Sequence, residues 1–258
     1  MSDSSASQAH RKKITLPADA QLDRLIHDPD LAIVTAVAGD ARLTEDLALT
    51  LLERRDLPRE ALEQLHSNSS VAKLRKVRLA VVMHPRTPRH VSVPNIRHLY
   101  PFELMQVALA PAVPADLKRA AEETVLGRLS TVSSGERLTL AKRGSGRVAA
   151  ALLLDKEEHI LQAALLNPQM TEMWIVRALR AGGGTELLAP AVCRHAKWLH
   201  RVEIKSALVA NRHTPFAFVV QIANEMPVHH LREILRTLQL APEVKRHLQG
   251  AIEKRSGK

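Results

Sequence analysis

Residues 81–88 read VVMHPRTP, residues 165–171 read LLNPQMT and residues 208–215 read LVANRHTP. Each is an apolar run that meets Asn, or His in its place, and then a Thr. Proline lacks an amide hydrogen and restricts the residue before it, so His84-Pro85 and Asn167-Pro168 each end a helix. Thr87 and Thr214 are followed by Pro, and Thr44 and Thr171 by Glu. A hydroxyl N-cap with Pro or an acid in the first turn predicts that the next helix starts there. The phrase is therefore a tight corner between two helices.

The corners recur. Thr44 and Thr87 are 43 residues apart, Thr87 and Thr171 are 84 apart, and Thr171 and Thr214 are 43 apart. The long interval conceals a degenerate copy near Ser130, in ETVLGRLSTVSSGERL, where an apolar run gives way to a hydroxyl cluster. A second column keeps the same period: VAKLRKVRLA from Val71, VPADLKRAAEE from Val113, KEEHILQAALL from Lys156, WLHRVEIKSAL from Trp198 and APEVKRHLQGA from Ala241. Between the columns lie amphipathic segments, PREALEQLHS, PFELMQVALA, GRVAAALLLD, GTELLAPAV and PVHHLREILR, each opened by Pro or Gly. Each unit thus reads as three short helices, with units near 14–78, 79–121, 122–164, 165–207 and 208–258. Such a unit cannot bury its apolar faces alone, so neighbours stack. The apolar positions predicted to face that stack include Val71, Leu74, Val77 and Val81, then Ile160, Ala163 and Ala164, and Val202 and Val209 with Lys205 breaking the pattern.

Composition agrees with an all-α chain. The 258 residues are 45% hydrophobic, with only three Phe, two Trp and one Tyr, and helix formers dominate. The expected fold is a right-handed α-solenoid of about five HEAT/armadillo-like repeats of 42–43 residues, forming one domain over residues 14–258. Residues 1–13 are Ser-rich and polar, predicted to be a disordered tail without the apolar core of a secretory signal. No uncharged apolar stretch approaches the roughly eighteen residues of a membrane span. The single cysteine, Cys193, excludes an intrachain disulfide framework, and a cytoplasmic location is expected.

The corner phrase also carries a resemblance. LRKVRLAVVMHPRTP, from Leu74, and VEIKSALVANRHTP, from Val202, resemble the Leu-Ala-x-x-x-x-Pro-x-Thr-Pro phrase of bacterial leucine-rich repeat variant proteins, which are helical solenoids. Together with GERLTLAKRGSGRVAAALLLD from Gly135, the chain is similar to bacterial HEAT or armadillo-like repeat proteins. The resemblance implies a fold and no activity. At AGDARLT and GRLSTVSS the Asn-Pro step is missing, and no functional residue carries over.

Charge points to a surface. Residues 1–63 hold twelve acids and eight Lys/Arg, whereas residues 64–258 hold fifteen acids and twenty-nine Lys/Arg, so the net +10 belongs to the later units. From Gln64 to Phe102 there is no Asp or Glu, but there are Lys73, Arg75, Lys76, Arg78, Arg86, Arg89 and Arg97, with His66, His84, His90 and His98. Lys118-Arg119 and Lys245-Arg246 repeat the Arg75-Lys76 column. Such a cluster suits a charged surface without a ligand, an acidic protein partner, or nucleic-acid phosphates. The expected docking residues are Lys73, Arg75, Lys76, Arg78, Arg86, Arg89, Arg97, Lys118 and Arg119.

Other features point to structure rather than chemistry. Cys193, His195 and His200 lack the paired spacings of a zinc site, and a buried inert thiol is expected. His229-His230 reads as the first turn of a helix. AGGGT from Ala181 and GSG from Gly144 lack the Lys-Ser/Thr of a phosphate loop; they read as helix ends with flexible joints, Gly182–Gly184 followed by Thr185 as a cap. A HEAT-like DNA glycosylase would need concave aromatics beside a carboxylate, and Trp174 and Trp198 have no neighbouring Asp in sequence. The expectation is a non-enzymatic interaction scaffold without cofactor or metal that binds an acidic protein. A nucleic-acid-binding solenoid is the alternative, and a glycosylase the remote one.

Overall fold

The structure, a computed structural model, describes residues 16–18, 21–181 and 186–256. The predicted tail over 1–13, and the joint of Gly182–Gly184 with its Thr185 cap, lie outside the described residues. Among those described there are eighteen α-helices and no strand. They are α1 (Leu22–Leu25), α2 (Leu31–Ala38), α3 (Glu45–Leu52), α4 (Arg59–Ser67), α5 (Arg75–Met83), α6 (Arg89–Ile96), α7 (Pro101–Leu109), α8 (Ala115–Arg128), α9 (Ser134–Arg143) and α10 (Gly146–Leu152), then α11 (Glu158–Leu165), α12 (Glu172–Arg180), α13 (Leu188–Cys193), α14 (Ala196–Leu199), α15 (Val202–Ala210), α16 (Phe216–Glu225), α17 (Val228–Thr237) and α18 (Pro242–Ser256). The chain divides into two compact units, Met1–Thr124 and Val125–Lys258, with the division inside α8.

Helices begin where the two columns place them. α5, α8, α11, α15 and α18 start at intervals of 40 to 44 residues, and α3, α6, α9, α12 and α16 at intervals of 38 to 45. Packing follows the same order. In the first unit α2 lies on α4, α3 on α5 and α5 on α6; in the second, α9 lies on α11, α12 on α15 and α16 on α18. The core of the first unit includes Val34, Leu51, Leu62, Leu65, Val77 and Val81. That of the second includes Leu140, Ile160, Leu161, Ile175, Leu208 and Leu248. Each such side chain contributes about 1.5–3 kcal/mol when fully buried. One predicted face is corrected: Val202 is exposed at 42%, and α15 buries Ile204, Ala207, Leu208 and Val209 instead. Lys205 lies off the core and reaches Glu225 at 2.6 Å.

The last carbonyls of a helix have no partner within it. Here a side chain at the end of a later helix supplies one. The amide of Asn167, after α11, donates to the carbonyls of Ala141 and Gly144 at the end of α9, at 2.8 and 3.1 Å. Asn211, after α15, donates to Leu179 O in α12 at 2.7 Å. Asn68, after α4, donates to Ala38 O and Asp40 O at the end of α2. Arg255, in the last turn of α18, donates to Ala223 O and Met226 O at the end of α16. The three Asn residues also accept, through Oδ1, the backbone N–H two residues on, from Ser70, Gln169 and His213. One amide therefore turns the chain and clamps two helices at the same level.

His84 takes this place after α5. Its Nε2 lies 2.9 Å from Arg54 O, just past the end of α3, and its Nδ1 accepts the N–H of Arg86 at 3.3 Å. The ring thus does what the amide does elsewhere.

The threonines behave in two ways. Thr44 caps α3 by accepting from Leu47 N, as predicted. Thr87 and Thr214 instead donate backwards, to Val81 O and Leu208 O, each at 2.6 Å, and so close the helix before them. Pro88 and Pro215 take the N-cap positions of α6 and α16. Thr171 occupies the N-cap of α12 without a side-chain bond. At the degenerate corner the hydroxyl that caps is Ser133, which exchanges bonds with Glu136 in a capping box. Gly144 ends α9 with φ of −71°, so it needs no glycine conformation. Gly146 is required for a different reason: a Cβ there would lie 2.6 Å from Gln169 O. It marks a close approach of α10 to the Asn167 corner rather than a flexible joint.

Asn167→Ala should lower stability by about 2 kcal/mol, because it strands two buried carbonyls and an N–H. Asn167→Asp should do no better, since a carboxylate accepts but cannot donate. Urea unfolding midpoints of the two variants check this.

Candidate docking surface

The nine predicted docking residues all lie in the first unit, and the structure separates them into two sets. Arg75, the first residue of α5, forms an ion pair with Glu103 of α7, and its guanidinium stacks 4.4 Å from the ring centroid of Tyr100. Arg89, the first residue of α6, pairs with Asp116 in the first turn of α8 at 2.5 Å. Arg86 donates to Asp56 O at 2.7 Å. His90 faces Glu63 at 3.2 Å. The block without acids therefore does not lack acid partners; they come from helices before and after it. Arg78 is half-buried, with its Nε shielded and without a hydrogen bond, so it belongs to the packed side of α5. Arg97 is exposed at the C-cap of α6. His84 is buried in its corner and leaves the surface altogether.

Lys73, Lys76, Lys118 and Arg119 form the other set. Among the described residues none of the four makes an ion pair, and all but the half-buried Lys118 are exposed. Lys73 lies in the turn before α5, Lys76 in its first turn, and Lys118 and Arg119 in the first half of α8, just beyond Asp116. The first turns of α5 and α6 contain no acid. The N-terminus of a helix carries partial positive charge, so cations there are unfavourable by a few tenths of a kcal/mol each and anions are favourable. α3, α7, α9, α11 and α12 follow the favourable rule, with Glu or Asp in the first turn. α5 and α6 open with Arg75-Lys76 and Arg89-His90 instead, α10 likewise has Arg147 and no acid in its first turn, and α2, α13, α14, α16 and α17 have no acid there either. Tyr100 (57% exposed) and Phe102 add apolar surface at the start of α7, which Glu103 ties to α5.

The second unit absorbs the residues that suggested chemistry. Cys193 is buried at the end of α13, and burial pushes its thiol up to about 11 against a smaller opposing effect of Arg194. His195 caps α14; burial, then the nearby Lys197, lowers the pKa of its ring, and its shielded Nδ1 has no partner. Trp198 is 3% exposed, and its indole N–H donates to Leu165 O at 3.0 Å, so it clamps α14 to the end of α11 and has no face free for a nucleotide base. Trp174 is half-buried, with the Arg177 guanidinium 5.8 Å from its centroid. His229 and His230 open α17, and His230 reaches Glu233 at 3.8 Å. Among the described residues no three His, Cys, Asp or Glu side chains gather into a metal-binding set, and no helix is long and apolar enough to cross a membrane. The sequence reading did not find Arg54, whose guanidinium joins Ile26 O, Asp28 O and the Asp56 carboxylate, because the two carbonyls lie 28 and 26 residues away along the chain.

No protein-family model, curated protein or solved structure matches the chain.

With its pKa at about 11, roughly one Cys193 thiol in a thousand is thiolate at pH 8. Ellman's reagent should react with the native chain at least about a hundredfold more slowly than with the urea-unfolded chain. Equal rates would place the thiol outside the core.

Proposed function

We propose that the chain is a non-enzymatic helical-repeat scaffold, a right-handed α-solenoid of about five units, that docks an acidic segment of another protein. The recurring helix starts and the repeated carbonyl clamp support the repeat architecture. One observation carries the docking role: among the described residues Lys73 and Lys76, at the start of α5, are exposed and make no ion pair where the helix dipole favours anions. Carboxylates from a partner would meet Lys73 and Lys76 and the positive end of α5 together, with Tyr100 and Phe102 offering apolar contact.

An acidic protein suits this face better than nucleic acid. Glu63, Glu103 and Asp116 sit among the cations and divide the charge into separate spots. A duplex presents a phosphate about every 1.7 Å along its axis and is matched by continuous positive charge. Discrete carboxylates on a peptide match discrete spots.

Fluorescence anisotropy with a labelled Glu- and Leu-rich peptide, and with labelled duplex and single-stranded oligonucleotides, tests the proposal near physiological salt. The peptide should bind, and changing Lys73, Lys76, Lys118 and Arg119 together to Gln should weaken it by at least about tenfold. Absence of peptide binding, or tighter binding of an oligonucleotide that collapses in the same variant, would overturn it.

A further inference from the structure

Of the side chains that clamp helix ends, Asn68, Asn167, Asn211, Trp198 and Arg255 hold their charge state across the physiological range. His84 does not. Its surroundings specify one form of the ring. A backbone N–H can only donate, so the Nδ1 that faces Arg86 N must be unprotonated; a carbonyl can only accept, so the Nε2 that faces Arg54 O must carry the hydrogen. Protonation adds a hydrogen to Nδ1. Two donors then oppose each other in a site where His84 is only 7% exposed, and the Arg86 amide loses its acceptor.

The charged groups around the ring do not soften this. On the α3 side, the Arg54 guanidinium is held by Ile26 O, Asp28 O and the Asp56 carboxylate, the last at 2.8 Å. On the α6 side, the Arg86 guanidinium is held by Asp56 O. Asp56 is the acid of this group, and Arg54 keeps its carboxyl below the usual range. Among the described residues no carboxylate bonds the imidazole.

We propose that His84 is a proton-operated latch: neutral, it fastens the end of α5 to the end of α3, and protonated, it releases that corner. Burial, and then the charge of Arg86, lower the pKa of the ring from its ordinary 6.5, while the bond to Arg54 O opposes them more weakly than burial. The sign follows. The closed corner prefers the neutral ring, so its stabilisation is complete above about pH 6.5, the value in the open state, and is lost as pH falls from there through the lower closed-state value. The latch goes beyond the docking proposal and does not depend on it.

Nitrogen-15 NMR of the full chain tests the latch, with His84→Asn both assigning the ring and restoring the residue used at the other corners. At about pH 7.5 the His84 ring should be the Nε2–H tautomer, and it should titrate below 6.5. Over that titration the opening constant of the Arg86 amide, from hydrogen exchange corrected for intrinsic rate, should rise by up to about tenfold per pH unit. In His84→Asn the amide should stay protected and its opening should not vary with pH. An Nδ1–H tautomer at neutral pH, a titration at or above 6.5, or an opening constant that is the same at pH 7.5 and 5.5 would overturn the proposal. Should His84→Asn fail to fold, the tautomer and titration of the natural chain still decide it.

Discussion

A helix that ends in a packed interior leaves carbonyl oxygens that water cannot reach, and the fold of this chain depends on how they are answered. The answer is a donor borrowed from a helix further along the chain. Asn is suited to it, because one side chain carries both the acceptor that turns its own backbone and the donor that reaches its neighbour. Asp lacks the donor. The clamp brings the C-terminal ends of two helices to one level, and hydrophobic burial, which is non-directional, then acts on helices already in register.

The same dependence unites corner residues that differ in kind. Asn167 and Asn211 use an amide, Arg255 a guanidinium, Trp198 an indole and His84 an imidazole. All are N–H donors. Only the imidazole can change its number of hydrogens in the physiological range, so exchanging Asn for His at one corner keeps the geometry and adds a dependence on protons.

Electrostatics is arranged on the same spatial scale. Arg75, Arg89 and His90 find acids contributed by other helices, 27 or 28 residues along the chain. Lys73, Lys76, Lys118 and Arg119 stand apart from those pairs. Counting charge along the chain therefore overstates the free positive charge of the segment from Gln64 to Phe102, of which Lys73 and Lys76 at the start of α5 remain outside those pairs.

Sequence by itself determined that the chain is helical and, within a few residues, where its corners fall, because proline, hydroxyl caps and apolar spacing act locally. The corner at Asn167 was legible for that reason, as was the equivalence of His84 with Asn. Only the tertiary structure decided that Thr87 and Thr214 close the helix behind them, that Gly146 admits the Gln169 carbonyl, and that α15 turns Ile204 rather than Val202 inward. It also decided which cations of the candidate surface are engaged and which are free. These outcomes depend on atoms brought together from residues more than twenty positions apart, or on which of several apolar stripes meets a neighbour, and no local pattern encodes that choice.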